Sequence, residues 1–146
     1  MSDQAIRTHL CGWMVLRRSD GAVLLARRSG VTYGEGLWGL PGGHAGRTES
    51  WAQAAIRETH EEVGVAVDPV DIQPLGVQRY VDGEVHGVDA FFATTRWHGV
   101  PSPVSECSEV GWFHTEALPP DALPWLARSL DLLLLRGVWL DELLDG

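Results

Sequence analysis

The chain has 146 residues, 45% of them hydrophobic, and sets 20 acidic side chains against 11 basic ones for a formal net charge of −9. That length makes one ordinary domain, residues 1–146, able to bury about two thirds of its unfolded surface, and the acidic balance argues against binding the backbone of a nucleic-acid polymer. Cys11 and Cys107 are too few for a disulfide scaffold, no run approaches the roughly 18 apolar residues of a membrane span, and Met1 to Thr8 is polar with no secretion-type apolar stretch, so a cytoplasmic protein with reduced thiols is expected.

His9 to Arg17 reads as a strand, with Cys11, Trp13 and Val15 alternating against Gly12 and Met14. Ser19-Asp20-Gly21 is a turn signal, which makes Ala22 to Arg27 the second strand of a hairpin. Ser29 to Gly36 is a glycine-rich loop, and Leu37 to Leu40 a short apolar run ending at Pro41-Gly42-Gly43, where two glycines permit a sharp turn or a close approach to a ligand. Ser50 opens a helix; Ser50 and Gln53 have capping-box spacing, with Thr48 as an alternative cap. Trp51, Ala54, Ala55, Thr59 and Val63 supply its buried stripe, and Gly64 is its stop.

Strands over Ile72 to Val81 and Val85 to Trp97 follow, joined by Asp82-Gly83-Glu84, a hairpin signal. His98 to Cys107 is loop and Glu109 to His114 a further strand. A last helix is predicted from about Asp121 to Arg136, with Leu126, Leu130, Leu133 and Leu134 on its apolar side. The apolar end, Val138 to Leu144, covers either the body or a partner subunit, so a homodimer and a monomer are both consistent with it. Strands on both sides of a central helix, with a second helix at the end, imply an α/β fold with a sheet between helices.

The chemistry concentrates on the central helix. Glu58, Glu61 and Glu62 stand at i, i+3 and i+4, so they project from one face about 5–6 Å apart. Like charges at that spacing oppose their own helix by roughly 0.2–0.5 kcal/mol per pair, which suggests that a cation belongs there. Hard carboxylate oxygens suit Mg²⁺, with Mn²⁺ as a substitute.

The segment Gly43-His44-Ala45-Gly46-Arg47-Thr48-Glu49, with Arg57-Glu58-Thr59-His60-Glu61-Glu62-Val63-Gly64-Val65, resembles the Nudix box, G-x5-E-x7-R-E-U-x-E-E-x-G-U, where U is bulky and apolar. Gly43, Glu49, Arg57, Glu58, Glu61, Glu62, Gly64 and Val65 match; Thr59 at the first U is the departure. Leu40-Pro41-Gly42-Gly43-His44, Trp112-Phe113 and Leu118-Pro119 extend the resemblance to the MutT-like branch. The resemblance implies an α/β/α sandwich with a central mixed sheet, and metal-dependent hydrolysis of a nucleotide, for the MutT-like branch a nucleoside triphosphate cut to monophosphate and pyrophosphate.

By resemblance Glu58 and Glu62 are core metal ligands, with Glu61 a further ligand or the acceptor of the water proton. Arg57 pairs with Glu49 and orients the site, and Gly42 or Gly43 offers a backbone carbonyl to metal. Arg28 matches a phosphate-binding arginine, Arg27 beside it being the competing choice, and His44 follows the glycines and is a candidate lining residue. Trp38, Phe91, Phe92 and Trp112 either stack on a base or fill the core. MutT-like chains often carry an acidic ligand in a loop W-x-G-E-P; here Trp97-His98-Gly99-Val100-Pro101 puts Val100 in its place, and Glu106 or Glu109 are the available substitutes. Two other readings stand beside the triphosphatase. A hydrolase of nucleoside diphosphate sugars or ADP-ribose expects a proline about 15 residues past the box, and Pro74 lies only ten beyond Gly64. A non-catalytic nucleotide sensor expects degraded box carboxylates, and these are intact.

Overall fold

The structure is a computed structural model and describes residues 5–144; the first four residues of the polar start lie outside the described residues. The strands are β1 (Thr8–Leu16), β2 (Val23–Arg28), β3 (Trp38–Gly39), β4 (Gly42–His44), β5 (Gln73–Asp82), β6 (Val85–Thr94), β7 (Cys107–Phe113) and β8 (Leu140–Leu143). The helices are α1 (Trp51–Val63) and α2 (Leu126–Ser129), which runs on into a π-helical stretch, Leu130–Leu135.

A five-stranded mixed sheet has the order β4-β1-β6-β5-β8, and a three-stranded antiparallel sheet the order β3-β2-β7. β1 and β6 run parallel, as do β5 and β8. From Cys11 onward β1 is buried on both faces, and its alternation sorts side chains between two cores. Cys11, Trp13 and Val15 meet Phe91, Leu126, Leu130 and Leu133 on the α2 side. Met14 and Leu16 meet Ala55, Val63 and Phe92 on the α1 side. β2 divides in the same way, with Val23 and Leu25 in the first core and Leu24 and Ala26 in the second. The result is the expected α/β/α sandwich with a mixed sheet at its centre. Among the described residues no helix is long and apolar enough to cross a membrane.

Helix α1 obeys its local signals. Ser50 accepts from the Gln53 amide at 3.0 Å and Gln53 returns the bond to the Ser50 amide at 2.9 Å, a complete capping box. Gly64 ends the helix in the left-handed region at φ 77°, where a side chain would be strained. Thr59 is fully buried, and its hydroxyl donates to the Ala55 carbonyl at 2.6 Å. The departure from the box is therefore accommodated without an orphan hydroxyl.

Three expectations need correction. The turn at Ser19-Asp20-Gly21 forms, but its strands are not a hairpin. Only the bridge Arg17↔Val23 joins them, because β1 already has β4 and β6 on its two edges and β2 has β3 and β7. The last helix begins at Leu126 rather than Asp121, because the Asp121 carbonyl accepts from Trp38 N and Leu123 N donates to the Trp38 carbonyl, which holds that segment extended against β3. The apolar end forms the edge strand β8, paired with β5, but it is folded back only in part, since Trp139, Leu140 and Leu144 stay exposed. β4, read as turn from sequence, is a short strand antiparallel to β1.

Candidate active site

Three carboxylates converge where the last turns of α1 face β4 and the loop before β7. One oxygen from each of Glu58, Glu62 and Glu106 lies within 4.8 Å of the others. Glu62 is 6% exposed, and the Gly42 amide donates to its Oε1 at 3.3 Å. Burial, reinforced by the neighbouring Glu58 carboxylate, pushes the Glu62 carboxyl up to about 9. Arg28 acts in the opposite direction, so its guanidinium lies within electrostatic reach of this carboxyl.

Backbone geometry makes the convergence possible. A Cβ on Gly43 would stand 2.9 Å from the Glu58 carboxyl carbon, so any side chain there would push that carboxyl out of its place against β4. Glu106 has φ 57°, the one positive φ of a non-glycine residue among the described residues. Such a conformation costs free energy, and it concentrates at functional sites. The loop is fixed by Val104 N and Ser105 N, which donate to the Glu62 carbonyl, and by Ser29 N, which donates to the Glu106 carbonyl.

Arg57 binds the outer side of the cluster. Its Nε and Nη2 donate to the two oxygens of Glu49 at 2.7 and 2.9 Å, and Nη1 donates to Glu58 at 3.0 Å and to Glu61 at 3.1 Å. Nη2 also donates to the His44 carbonyl at 3.2 Å. The guanidinium holds the Glu49 carboxyl down to about 2, with a Gly46 amide assisting, while Glu49 raises the arginine further above its usual range. Glu61 has a half-exposed side chain turned to Arg57 and stands outside the trio of converging oxygens; Glu106 completes that trio.

The remaining predicted residues are placed as follows. Arg27 is committed to structure, bonded to Glu109, Asp121 and the Gly36 carbonyl and lying over Trp38. Arg28 donates Nε to the Tyr33 carbonyl at 2.8 Å, which ties the 29–36 loop beside the cluster. His44 is exposed, with Nε2 3.2 Å from His9 Nδ1. Trp38 is 8% exposed and packs edge-on against Phe113, so it is a core residue and not a stacking platform. Trp112 stacks on Trp97 with centroids 5.7 Å apart and lies under the Arg18 guanidinium. Both rings were candidates for base stacking; packing occupies both. Of the two substitutes for Val100, Glu106 joins the cluster whereas Glu109 pairs with Arg27 at 2.9 Å.

A helix with this carboxylate trio, its arginine clamp and the loop around it defines a class, and comparison with known proteins gives the same class. The NUDIX domain family model matches residues 8–133, and the chain belongs to that family. The CTP pyrophosphohydrolase of Escherichia coli is 35% identical over 118 residues, 81% of this chain and 82% of that one. A Mycobacterium tuberculosis protein assigned by name as an 8-oxo-dGTP diphosphatase is 39% identical over 74 residues, 49% of this chain but only 32% of the relative's length. Among solved structures, the MutT Nudix hydrolase of Burkholderia pseudomallei superimposes with a TM-score of 0.76 at 27% identity, covering 86% of this chain and 97% of that one.

Proposed function

We propose that this chain is a Mg²⁺-dependent nucleoside triphosphate diphosphatase. Water attacks phosphorus, the phosphoanhydride bond breaks, and nucleoside monophosphate and pyrophosphate leave. The observation that carries the reading is the trio Glu58, Glu62 and Glu106, since a buried carboxyl pushed up by a neighbouring carboxylate is a group that a divalent cation would satisfy. The three oxygens and the hard-donor chemistry fit Mg²⁺ or Mn²⁺, with a backbone oxygen at Gly42 or Gly43 as a further donor. When bound, such a cation lowers the pKa of coordinated water and screens phosphate charge.

The chain's own residues do the rest. Arg57 is a positioning residue, fixing Glu58 and Glu61 while Glu49 and the His44 carbonyl hold Arg57 itself. Arg28, within electrostatic reach of Glu62, is the cation we assign to a phosphate oxygen. His44, exposed at the end of β4 with its carbonyl on Arg57, is the candidate lining residue on that side. Glu61, at the rim of the cluster, and Glu106, within it, are the two candidates to take the water's proton, and the acceptor is the one whose Gln variant loses the acidic limb of the kcat profile. The relatives' names support nucleotides as the substrate class: one is named for CTP, the other for an oxidised guanine nucleotide.

The test is product analysis on a panel of canonical and oxidised nucleoside triphosphates, nucleoside diphosphate sugars and ADP-ribose with Mg²⁺. Monophosphate plus pyrophosphate from a triphosphate supports the reading. Turnover confined to the diphosphate-linked compounds, or tight binding without turnover, refutes it.

A further inference from the structure

The sheet face on the α2 side carries polar and aromatic groups that hydrolysis leaves unused. Strand register places His44, Cys11, Asp89 and Gln78 in one row across β4, β1, β6 and β5. The adjacent row holds His9, Gly87 and Tyr80. Neighbouring strands are about 4.8 Å apart, so Asp89 sits roughly 10 Å across the sheet from the β4 position of His44. Cys11 lies between the two ends. Burial pushes its thiol up to about 12, and the carboxylates of both Asp89 and Glu58 act on it. The row thus runs on the sheet face opposite Gly43 and Glu58, with Cys11 within electrostatic reach of both Glu58 and Asp89.

Asp89 is 6% exposed. Its Oδ2 accepts from Trp13 Nε1 at 2.9 Å, while Oδ1 is buried with no hydrogen-bond partner. Its neighbours on this face, Cys11, Trp13 and Phe91, are core residues, so packing alone would put an apolar side chain at position 89. Burial pushes the carboxyl up to about 6, against the Trp13 bond and the pull of the Cys11 backbone amide, which lies close by without a well-aligned hydrogen bond to Oδ1. A buried acceptor left without a donor is costly, and such groups in native proteins call for a reason.

Beside it lies a platform. A Cβ at Gly87 would overlap the Tyr80 ring, so that ring lies over the Gly87 backbone instead of standing away from the sheet. Tyr80 is half-buried, and burial together with Asp89 keeps its phenol neutral by raising it further above its usual range. A flat ring on the sheet with an unsatisfied acceptor two residues along the neighbouring strand matches the two features of a nucleobase, a π face and a hydrogen-bonding edge. Tyr33, on the loop tied down by Arg28, lies near enough to act electrostatically on the Tyr80 hydroxyl and is exposed.

We propose that Asp89 is a specificity-determining residue of the substrate site, its Oδ1 accepting from the exocyclic amino group of a nucleobase seated on Tyr80. The ligand class is a nucleotide with an amino-bearing base, such as guanine or cytosine, in preference to hypoxanthine or uracil. This rests on the reading of the site as a nucleotide site and names the base end of it.

The test is binding of nucleoside monophosphates in pairs that differ at the amino group, GMP with IMP and CMP with UMP, followed by calorimetry. Wild type is expected to hold the amino-bearing member of each pair about tenfold tighter or more. Asp89→Asn should erase or invert both ratios, because an amide also offers N–H to a base carbonyl. Tyr80→Leu should weaken all four ligands while leaving the ratios in place. Equal affinities within each wild-type pair, no binding of any of the four, or ratios unchanged in Asp89→Asn would each overturn the proposal; equal affinities are what a water satisfying Oδ1 would give. Pyrophosphate release from the matching triphosphates is measured in parallel. A chain that discriminates the monophosphates yet releases no pyrophosphate keeps this inference and refutes the hydrolytic reading.

Discussion

Helix α1 has two acidic neighbourhoods less than one turn apart, and they are built on opposite plans. On the outer side, Glu49 and Glu61 share Arg57, and the guanidinium draws the Glu49 carboxyl down to about 2. On the inner side, Glu62 is buried against Glu58 with only an amide hydrogen bond in support, and its carboxyl rises to about 9. Glu58 belongs to both, with one oxygen on Arg57 and a place in the inner trio. Glu49 is neutralised by Arg57 and stabilises the chain. Glu62 has no basic side chain bonded to it, and its burial lowers stability in exchange for a site that attracts a cation.

Substituting the inner group should separate activity from stability most sharply. Glu62→Gln is expected to cut pyrophosphate release by roughly 10²–10³-fold, the scale for losing one key electrostatic group, while raising the melting temperature of the metal-free protein. The sign follows from linkage. Between about 4.5 and about 9 the folded metal-free chain holds a proton on Glu62 that the unfolded chain has lost, so wild-type stability falls as pH rises through that window. Melting curves taken in chelator at several pH values should show this slope in wild type and a much flatter one in Glu62→Gln; equal slopes would contradict the burial argument.

Supplying the cation should reverse the same term. Adding Mg²⁺ or Mn²⁺ near pH 7.5 is expected to raise the melting temperature and to release about one proton per site, since the ligand must be ionised. Calorimetry in buffers of different ionisation enthalpy reads the proton count, and a count of zero would mean that Glu62 is already ionised without metal.

The outer group should respond in the opposite sense. Glu49→Gln is expected to lower the melting temperature at pH 7 and to reduce turnover about tenfold, because Arg57 loses its two-pronged anchor. The Glu49 carboxylate contributes stability above its unfolded value of 4.5, and that contribution disappears as pH falls toward 2, so the melting curves of variant and wild type should converge in acid. Ser50→Ala is the smallest change. It should cost about 1 kcal/mol of stability by removing the helix cap, with the apparent affinity for Mg²⁺ unchanged in a titration, since the cap lies two turns or more along α1 from Glu58 and Glu62.

The parts of this design that are local in sequence were legible in advance. Ser50, Gln53 and Gly64 announced both ends of α1, and the spacing of Glu58 and Glu62 announced a shared face, whereas Glu61 turns outward to Arg57. What the spacing could not show is which carboxylates converge. That depends on Gly43 admitting Glu58 to β4, and on a loop whose amides at Val104 and Ser105 are tied to the Glu62 carbonyl. Glu106 could be named only as one of two substitutes for Val100; the β2–β7 pairing decides between them by giving Glu109 to Arg27. The start of the last helix was misplaced because hydrogen bonds from β3, distant in sequence, hold residues 121–123 extended. Tryptophans carry no positional signal of their own: Trp38 is buried against Phe113, and Trp112 lies partly buried between Trp97 and Arg18. Asp89 went unremarked although a visible signal existed, a lone acid within the apolar run from Val88 to Phe92.

The parallel pairing of β1 with β6 also bears on how the chain is made. The first strand to be synthesised is the second in its sheet and takes its full register only from Val85–Thr94. At about 5–20 residues per second, β1 leaves the ribosome several seconds before its long partner exists. During that interval its apolar run from Cys11 to Leu16 has β2, the short strands β3 and β4 and the capped helix α1 to cover it. The strength of the local signals in α1 can thus be understood as protection for a nascent chain, a helix able to form early and shelter one face of a strand that must wait for the rest of its sheet.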